Sequence, residues 1–285
     1  MKISKVKLLG VVMAALLLIV TAVGCDQSGK DDENGENGDK TSELKGTITI
    51  AGSTSVQPLS EELASAFMDK NPEVEVSVAG GGSGAGIKAA QEGTAEIGSS
   101  SRELKDEEKT DLQETVIAKD GIAIVVHPDN SVSGLTLEQT KKIFAGEITD
   151  WKDVGGKSGA INLFTREDGS GTRDAFQEIV MGKETKISSK AGVQNSTGAV
   201  LTAVAGDANA IGYISLGSLN NSVKALKIDN VEASDATILD GTYKISRPFL
   251  YLTKGEPEGV VKAYIDFVMS SDGQKIVSDK YISVK

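Results

Sequence analysis

The chain of 285 residues contains one cysteine, one histidine and one tryptophan, and aromatic residues make up only 4% of it. Each scarcity excludes something. A lone cysteine, Cys25, cannot close a disulfide within the chain or build a thiolate metal site. A lone histidine, His127, excludes metal sites of the His-x-x-x-His type. It follows a strand-like run and precedes Pro128, so it reads as the cap of a strand rather than a catalytic group. The apolar run at the start, Leu8 to Val20, is too short for a comfortable membrane span. Positive charge is in deficit too: the formal net charge is −11. Such a chain repels nucleic acid at long range. No internal repeat of fixed period is present.

Familiar catalytic motifs also fail. Gly82-Ser83-Gly84 is not a nucleophile elbow, because Gly-x-Ser-x-Gly breaks at Ala85. Gly86-Ile87-Lys88 is not a P-loop, because the Gly-Lys pair is interrupted.

The N-terminus carries an address. Lys2, Lys5 and Lys7 form a basic segment ahead of the apolar run, and Ala22-Val23-Gly24 places small residues directly before Cys25. This is the bacterial lipoprotein processing pattern. Residues 1–24 are therefore expected to be a signal peptide, and Cys25 the lipidated first residue of the mature chain. An uncleaved anchor, or a plain secretory signal with an incidental cysteine, is the alternative. Removing residues 1–24 takes away three lysines and no acid, so the mature charge is about −14. Asp26 to Lys45 is almost free of apolar residues and cannot bury enough surface to offset ordering. With Cys25 it reads as a flexible acidic tether, residues 25–45.

About 240 residues follow. That length suits one large α/β unit or two lobes of ordinary size. Short β-rich runs at Gly121–Val126, Ala210–Ile214 and Phe249–Leu252 alternate with helical patterns at Leu59–Met68, Leu137–Phe144, Thr197–Val204 and Val260–Met269. The alternation predicts an α/β fold with largely parallel sheets.

The most informative stretch is Thr165-Arg166-Glu167-Asp168-Gly169-Ser170-Gly171-Thr172-Arg173. It lies between a strand-like run, Ile161–Phe164, and a helix-like run, Asp174–Met181. A Gly-Ser-Gly-Thr turn at a helix start gathers free N–H groups, two hydroxyls and the positive end of the helix dipole. Arg166 adds a planar fork of donors suited to a tetrahedral oxyanion. Three more segments have the same character. Ile48–Ile50 leads into Ala51-Gly52-Ser53-Thr54-Ser55 and a helix opened by Pro58. Val74–Val78 leads into Gly80-Gly81-Gly82-Ser83-Gly84 and a helix over Ile87–Gln91. Ile97-Gly98-Ser99-Ser100-Ser101-Arg102 is a strand ending in hydroxyls and a guanidinium. Ordinary turn chemistry explains any one corner. It explains four together much less well. An anion bound by so acidic a chain must be held by local hydrogen bonds rather than by the overall field. Eight to ten charge-assisted bonds of about 1.5–3 kcal/mol each could exceed the roughly 8 kcal/mol of micromolar affinity, before desolvation costs.

Taken together, these segments resemble the phosphate-binding lipoprotein family that serves the high-affinity phosphate ABC transporter. That family is a branch of the extracytoplasmic solute-binding proteins. Further matching stretches are Ala210-Ile211-Gly212-Tyr213-Ile214-Ser215, Ser246-Arg247-Pro248 and Asp272-Gly273-Gln274-Lys275-Ile276-Val277. The resemblance covers nearly all of 46–285, and Arg-x-Asp-Gly-Ser-Gly-Thr is its most specific piece.

The resemblance implies a two-lobed α/β fold of the periplasmic-binding-protein type II kind, each lobe a mostly parallel sheet flanked by helices. It implies one lobe at 46–118 plus 248–285 and the other at 119–247, with crossings near Lys119-Asp120-Gly121 and Arg247-Pro248. Inorganic phosphate would bind between them and pass to transmembrane permease subunits. The implied ligand residues are Thr54, Ser55, Ser83, Ser101, Arg166, Ser170, Gly171 and Thr172. Ser53 and Arg102 form a second tier, with Asp168 as the carboxylate that orients Arg166. Arg102 could instead pair with Glu103 or Asp106 at the surface. Trp151 reads as a packing anchor.

The resemblance further implies a monomer, anchored by lipid on Cys25 to the outer face of the bacterial membrane, with no cofactor, metal, nucleic-acid partner or catalysis. One position departs from the pattern: Ser101 stands where well-known members carry an aspartate. That aspartate accepts the phosphate proton and repels sulfate. Receptors for sulfate, molybdate or a phosphonate therefore stay open. So, more weakly, do a phosphate-ester hydrolase and an added signalling or adhesion role.

Overall fold

The computed structural model describes residues 44–285. The signal peptide, Cys25 and nearly all of the tether lie outside the described residues. Leu44, placed in the tether by sequence, packs against the first core described below.

The chain alternates strands and helices. The first half runs β1 (Gly46–Gly52), α1 (Gln57–Lys70), β2 (Val74–Gly80), α2 (Ser83–Glu92), β3 (Ile97–Ser100) and the long β4 (Leu112–Val126). Then come β5 (Gly134–Leu135), α3 (Leu137–Ala145), β6 (Asn162–Arg166), α4 (Gly171–Phe176), β7 (Gly192–Gln194) and α5 (Thr197–Ala205). The chain closes with β8 (Ala210–Ser215), β9 (Lys224–Ala225), β10 (Lys227–Ile228), α6 (Asp235–Leu239), β11 (Ser246–Lys254), α7 (Gly259–Val268) and α8 (Ser271–Val277).

The main sheet has the order β2-β1-β3-β11-β4-β8-β6-β7, with β9 beside β4. Its two ends are parallel: β2, β1 and β3 on one side, β8, β6 and β7 on the other. The middle is antiparallel, with β11 against β3 and β4, and β4 against β8. The parallel character read from sequence thus holds at both ends, while the two longest strands run counter to it. β4 serves both ends. Its stretch Leu112–Gly121 pairs with β11 and its stretch Ile122–Val126 with β8.

The apolar side chains divide at the same place along β4. Ile48, Leu59, Leu63, Phe67, Ile97, Ala118, Phe249 and Tyr264 belong to one core. Ile122, Ile124, Phe144, Trp151, Phe176, Val200 and Tyr213 belong to the other. Leu59, Leu63, Ala64 and Phe67 recur at helical spacing, so α1 buries one stripe. Ile122–Val126 is buried on both faces, which explains its unbroken apolar run. Trp151 is the packing anchor expected of it, 2% exposed, its indole N–H donating to Asn209 O at 3.0 Å.

Two helix starts differ from the sequence reading. α2 begins at Ser83, so the glycine run enters the helix. A Cβ on Gly86 would lie 2.6 Å from Ala51 O and 2.7 Å from Gly52 Cα. Close packing of α2 on β1 offsets the usual helical cost of glycine. α4 begins at Gly171, capped by Ser170, and runs on as a π-helical turn over Gln177–Met181.

Candidate functional site

Every corner singled out in the sequence opens toward one point, and the structure adds a further one. β1 ends at Gly52, and the turn that follows places three hydroxyls. Ser53 Oγ accepts from the Ser55 N–H at 3.2 Å and donates to Ser101 Oγ at 2.8 Å. Ser55 Oγ lies 2.8 Å from Thr172 Oγ1 and 2.7 Å from Thr197 Oγ1. Thr54 Oγ1 accepts from Arg166 Nη2 at 3.0 Å and from the Thr197 N–H at 3.2 Å. At the start of α2, Ser83 Oγ accepts from the Ser101 N–H at 3.0 Å and lies 3.3 Å from Ser101 Oγ.

From the other core, β6 delivers Arg166 at its last residue and the turn delivers Ser170 to the start of α4. Gly171 is required there by close approach: a Cβ would lie 2.3 Å from Ser83 Oγ and 2.8 Å from Ser101 Oγ. Phe176, at the end of α4, stacks on Tyr213 with ring centroids 4.1 Å apart. The Tyr213 hydroxyl in turn accepts from the Arg166 N–H at 3.4 Å and pairs with Thr165 Oγ1 at 2.6 Å. Burial pushes the Tyr213 phenol up to about 12, so it remains neutral. The end of β6 and the far end of α4 are thereby tied to each other through Tyr213.

The group is water-poor. Ser53, Ser55, Ser83, Ser101, Arg166, Ser170, Thr172 and Thr197 are each at most 3% exposed, and Thr54 is half-buried. Gly171 and Thr172 carry the first N–H groups of α4, which no residue within the helix can accept. The guanidinium of Arg166 is held side-on by Glu167, with Nε to Oε2 at 2.8 Å and Nη2 to Oε1 at 2.7 Å. Its Nη1 donates to Thr197 Oγ1 at 3.2 Å. Arg166 and Glu167 cancel in charge. What remains is an array of hydroxyls and backbone donors around one forked cation, in a setting where hydrogen bonds are strengthened by low dielectric. Such an array offers hydrogen-bond donors of the kind a small oxyanion accepts.

All eight residues expected to hold the ligand, with Ser53, are gathered here. Two expectations are corrected. Asp168 does not orient Arg166: its side chain is 98% exposed and pairs with Arg173. The turn at Gly169 (φ 84°) leaves Asp168 outside, and Glu167 supplies the carboxylate. Arg102 neither joins the hydroxyl array nor pairs with Glu103 or Asp106 side chains. It is 7% exposed and bound to Glu108 and Asp174, meeting Glu103 only through that residue's carbonyl. The nearer acid Asp106 pairs with Lys109 instead.

One residue escaped the sequence reading. Thr197 opens α5, behind an N-cap in which Ser196 Oγ accepts from the Ala199 N–H at 3.0 Å. Its signal was present: Asn195-Ser196-Thr197 sets two hydroxyls directly before an apolar helical pattern.

A family model described as a PBP superfamily domain matches residues 37–272, so the chain has the two-lobed fold of solute-binding proteins. A phosphate-binding protein PstS of Bacillus subtilis is 35% identical over 292 residues, covering 100% of this chain and 95% of the relative. The chain belongs to the PstS family. Among solved structures, one from Clostridium perfringens, described as a phosphate ABC transporter substrate-binding protein with bound phosphate, is 47% identical. It covers 84% of this chain and 100% of its own, with a TM-score of 0.82. An ABC-type phosphate transport receptor from Vibrio cholerae is 38% identical, with the same coverages and a TM-score of 0.70.

Proposed function

We propose that this protein binds inorganic phosphate between its lobes and hands it to the membrane permease of a phosphate ABC transporter. The observation that carries this reading is the far edge of the Arg166 guanidinium. Glu167 holds one side, and Nη1 and Nη2 reach Thr197 and Thr54 beside the start of α4. A tetrahedral anion there would accept from the fork, from Thr54, Ser55, Ser83 and Ser101, and from Ser170, Gly171 and Thr172, with Ser53 supporting Ser101. Thr197 joins the set.

The lobes proposed are 46–118 plus 248–285, and 119–247. The two larger hydrophobic cores and the continuous passage of β4 between them support this division. Closure about the crossings would exclude water and strengthen each hydrogen bond. The protein acts as a carrier, not an enzyme. His127, the one candidate base, accepts from the Asp129 N–H at 3.1 Å and lines no part of the cradle. Residues 1–24 are proposed to direct export and Cys25 to carry the lipid anchor. The monomer then stands outside the membrane on its tether. No helix among the described residues is long and apolar enough to cross a membrane.

A second reading, a broader oxyanion receptor, is favoured by one feature. Ser101 is neutral, and the carboxylate nearest the cradle, Glu167, is already engaged by Arg166. Titration calorimetry of phosphate into the detergent-solubilised full chain, stripped of ligand, with sulfate as competitor, tests both readings. Tight one-to-one phosphate binding unmoved by sulfate supports the phosphate receptor. Equal competition replaces it with the broader one. Binding of neither ion overturns the cradle.

A further inference from the structure

Most hydrogen bonds that pass between the proposed lobes at the cradle belong to the cradle itself. Ser55 meets Thr172 and Thr197, Thr54 meets Arg166 and Thr197, and the Gly84 N–H meets Gly169 O. Arg102 with Asp174 is different. Among the ion pairs of the described residues, it is the one that joins 46–118 to 119–247, with Arg102 Nε donating to Asp174 Oδ2 at 2.9 Å.

The two ends of this pair sit against the cradle on opposite sides. Arg102 directly follows Ser101. Asp174 lies in the first turn of α4, two residues past Thr172, with its N–H on Ser170 O at 2.9 Å. Arg102 is preset on its own side. Glu108 takes Nη1 and Nη2 at 2.6 and 2.9 Å, and the Glu103 carbonyl takes Nη1 at 2.9 Å. The guanidinium therefore stays paired whether or not Asp174 is present. Removing one partner of a buried ion pair is costly because the other charge is stranded. Here Glu108 prevents stranding, so separation is cheap enough to be reversible.

We propose that Arg102 and Asp174 are a positioning pair for phosphate affinity: they fix the spacing between the Ser101 corner and the start of α4, and so set how readily the lobes close on the anion. This rests on the phosphate reading above. The pair touches no reacting or bound atom itself. It acts by bringing Ser83 and Ser101 within reach of the ligand held by Gly171 and Thr172. A cavity of about 780 Å³ opens against it, lined among others by Arg102, Lys105, Arg173, Asp174 and Lys183. None of the cradle hydroxyls lines that cavity. Solvent ions thus reach the pair without passing the ligand, and salt should weaken it.

The test uses the detergent-solubilised full chain, Asp174→Asn, Arg102→Met and the double variant, with phosphate binding followed by stopped flow at low and high potassium chloride. Asp174→Asn is expected to raise the phosphate Kd about tenfold, through faster release, and to lose most of the salt dependence of the wild type. The double variant should be no weaker than Arg102→Met alone. Small-angle scattering of the phosphate-free proteins should give a larger radius of gyration for Asp174→Asn than for wild type. This arm reads the pair even if wild type fails to bind phosphate, which would overturn the phosphate reading instead. Melting temperatures within about 2 °C of wild type exclude simple unfolding, and an Asp174→Glu variant should restore affinity. An unchanged Kd and radius in Asp174→Asn, or additive losses in the double variant, overturns the proposal.

Discussion

Asp120 and Arg247 face each other in the β4–β11 ladder, their charged groups 3.0 Å apart and their side chains 1% and 2% exposed. They lie where the two cores meet along β4. Asp120 also accepts from Ser215 Oγ at 2.9 Å, while Arg247 Nη1 has no partner. Burial raises the Asp120 carboxyl above its ordinary value despite the guanidinium beside it. Desolvation therefore outweighs attraction, and the pair specifies the crossing more than it stabilises it. Asp120→Asn alone should cost about 3–5 kcal/mol in urea unfolding, because it strands Arg247. Replacing both by leucine should cost much less. Equal losses would mean that the pair is a net stabiliser.

Glu167 and Asp168 are neighbours in sequence, yet only Glu167 is expected to matter to Arg166. Glu167→Ala leaves the buried Arg166 guanidinium without its carboxylate, so the phosphate-free protein should melt several degrees lower. Phosphate can then replace the missing charge, and its thermal upshift should exceed that of wild type. Asp168→Ala should change neither quantity, since its side chain is 98% exposed and pairs with Arg173 rather than Arg166. Differential scanning calorimetry with and without phosphate separates the two.

The architecture was largely legible in the sequence because its signals are local. The β1, β2 and β6 corners each show an apolar strand, a small-residue turn and a helix start, and each is found, with α2 and α4 opening earlier than their apolar patterns, at Ser83 and Gly171. The division of the cores along β4 was not legible from pattern, since Gly121–Val126 reads only as a buried strand. Partner choice failed where it depends on distance in space. Asp168 and Glu167 differ by one residue, and only the turn at Gly169 decides which faces Arg166. Arg102 reaches Asp174 across 72 residues, a contact that no spacing rule anticipates. Thr197 is hard to read for a simpler reason: its helix pattern is plain, but its Ser-Thr start lacks the glycine-rich turn that marks the other hydroxyl corners.

Thr197 links the Arg166 fork to the turn after β1. Its hydroxyl meets both Arg166 Nη1 and Ser55 Oγ, while its N–H meets Thr54. Thr197→Val keeps the shape and the N–H and removes the hydroxyl. A hydrogen bond involving a charged group contributes about 1.5–3 kcal/mol, so phosphate Kd should rise roughly 10- to 100-fold. Thr197→Ser should bind nearly as wild type does. Calorimetric titration of both variants checks this, and a normal Kd for Thr197→Val would remove the residue from the ligand set.

Acid should loosen the molecule through Glu108. Hydrogen bonds from Arg102 hold its carboxyl below the ordinary glutamate value of 4.5, against a smaller opposing effect of burial. A carboxyl depressed in the folded state contributes stability that is complete above its unfolded pKa. That stability is lost as pH falls through the folded value. The window therefore lies below pH 4.5, and no Glu108 effect on pH dependence is expected near neutrality. Glu108→Gln removes the titration. Its melting temperature should start lower than wild type at neutral pH and fall less steeply on acidification, so the two curves converge in acid. Parallel curves would mean that Glu108 keeps an ordinary pKa and that Arg102 is neutralised mainly by Asp174.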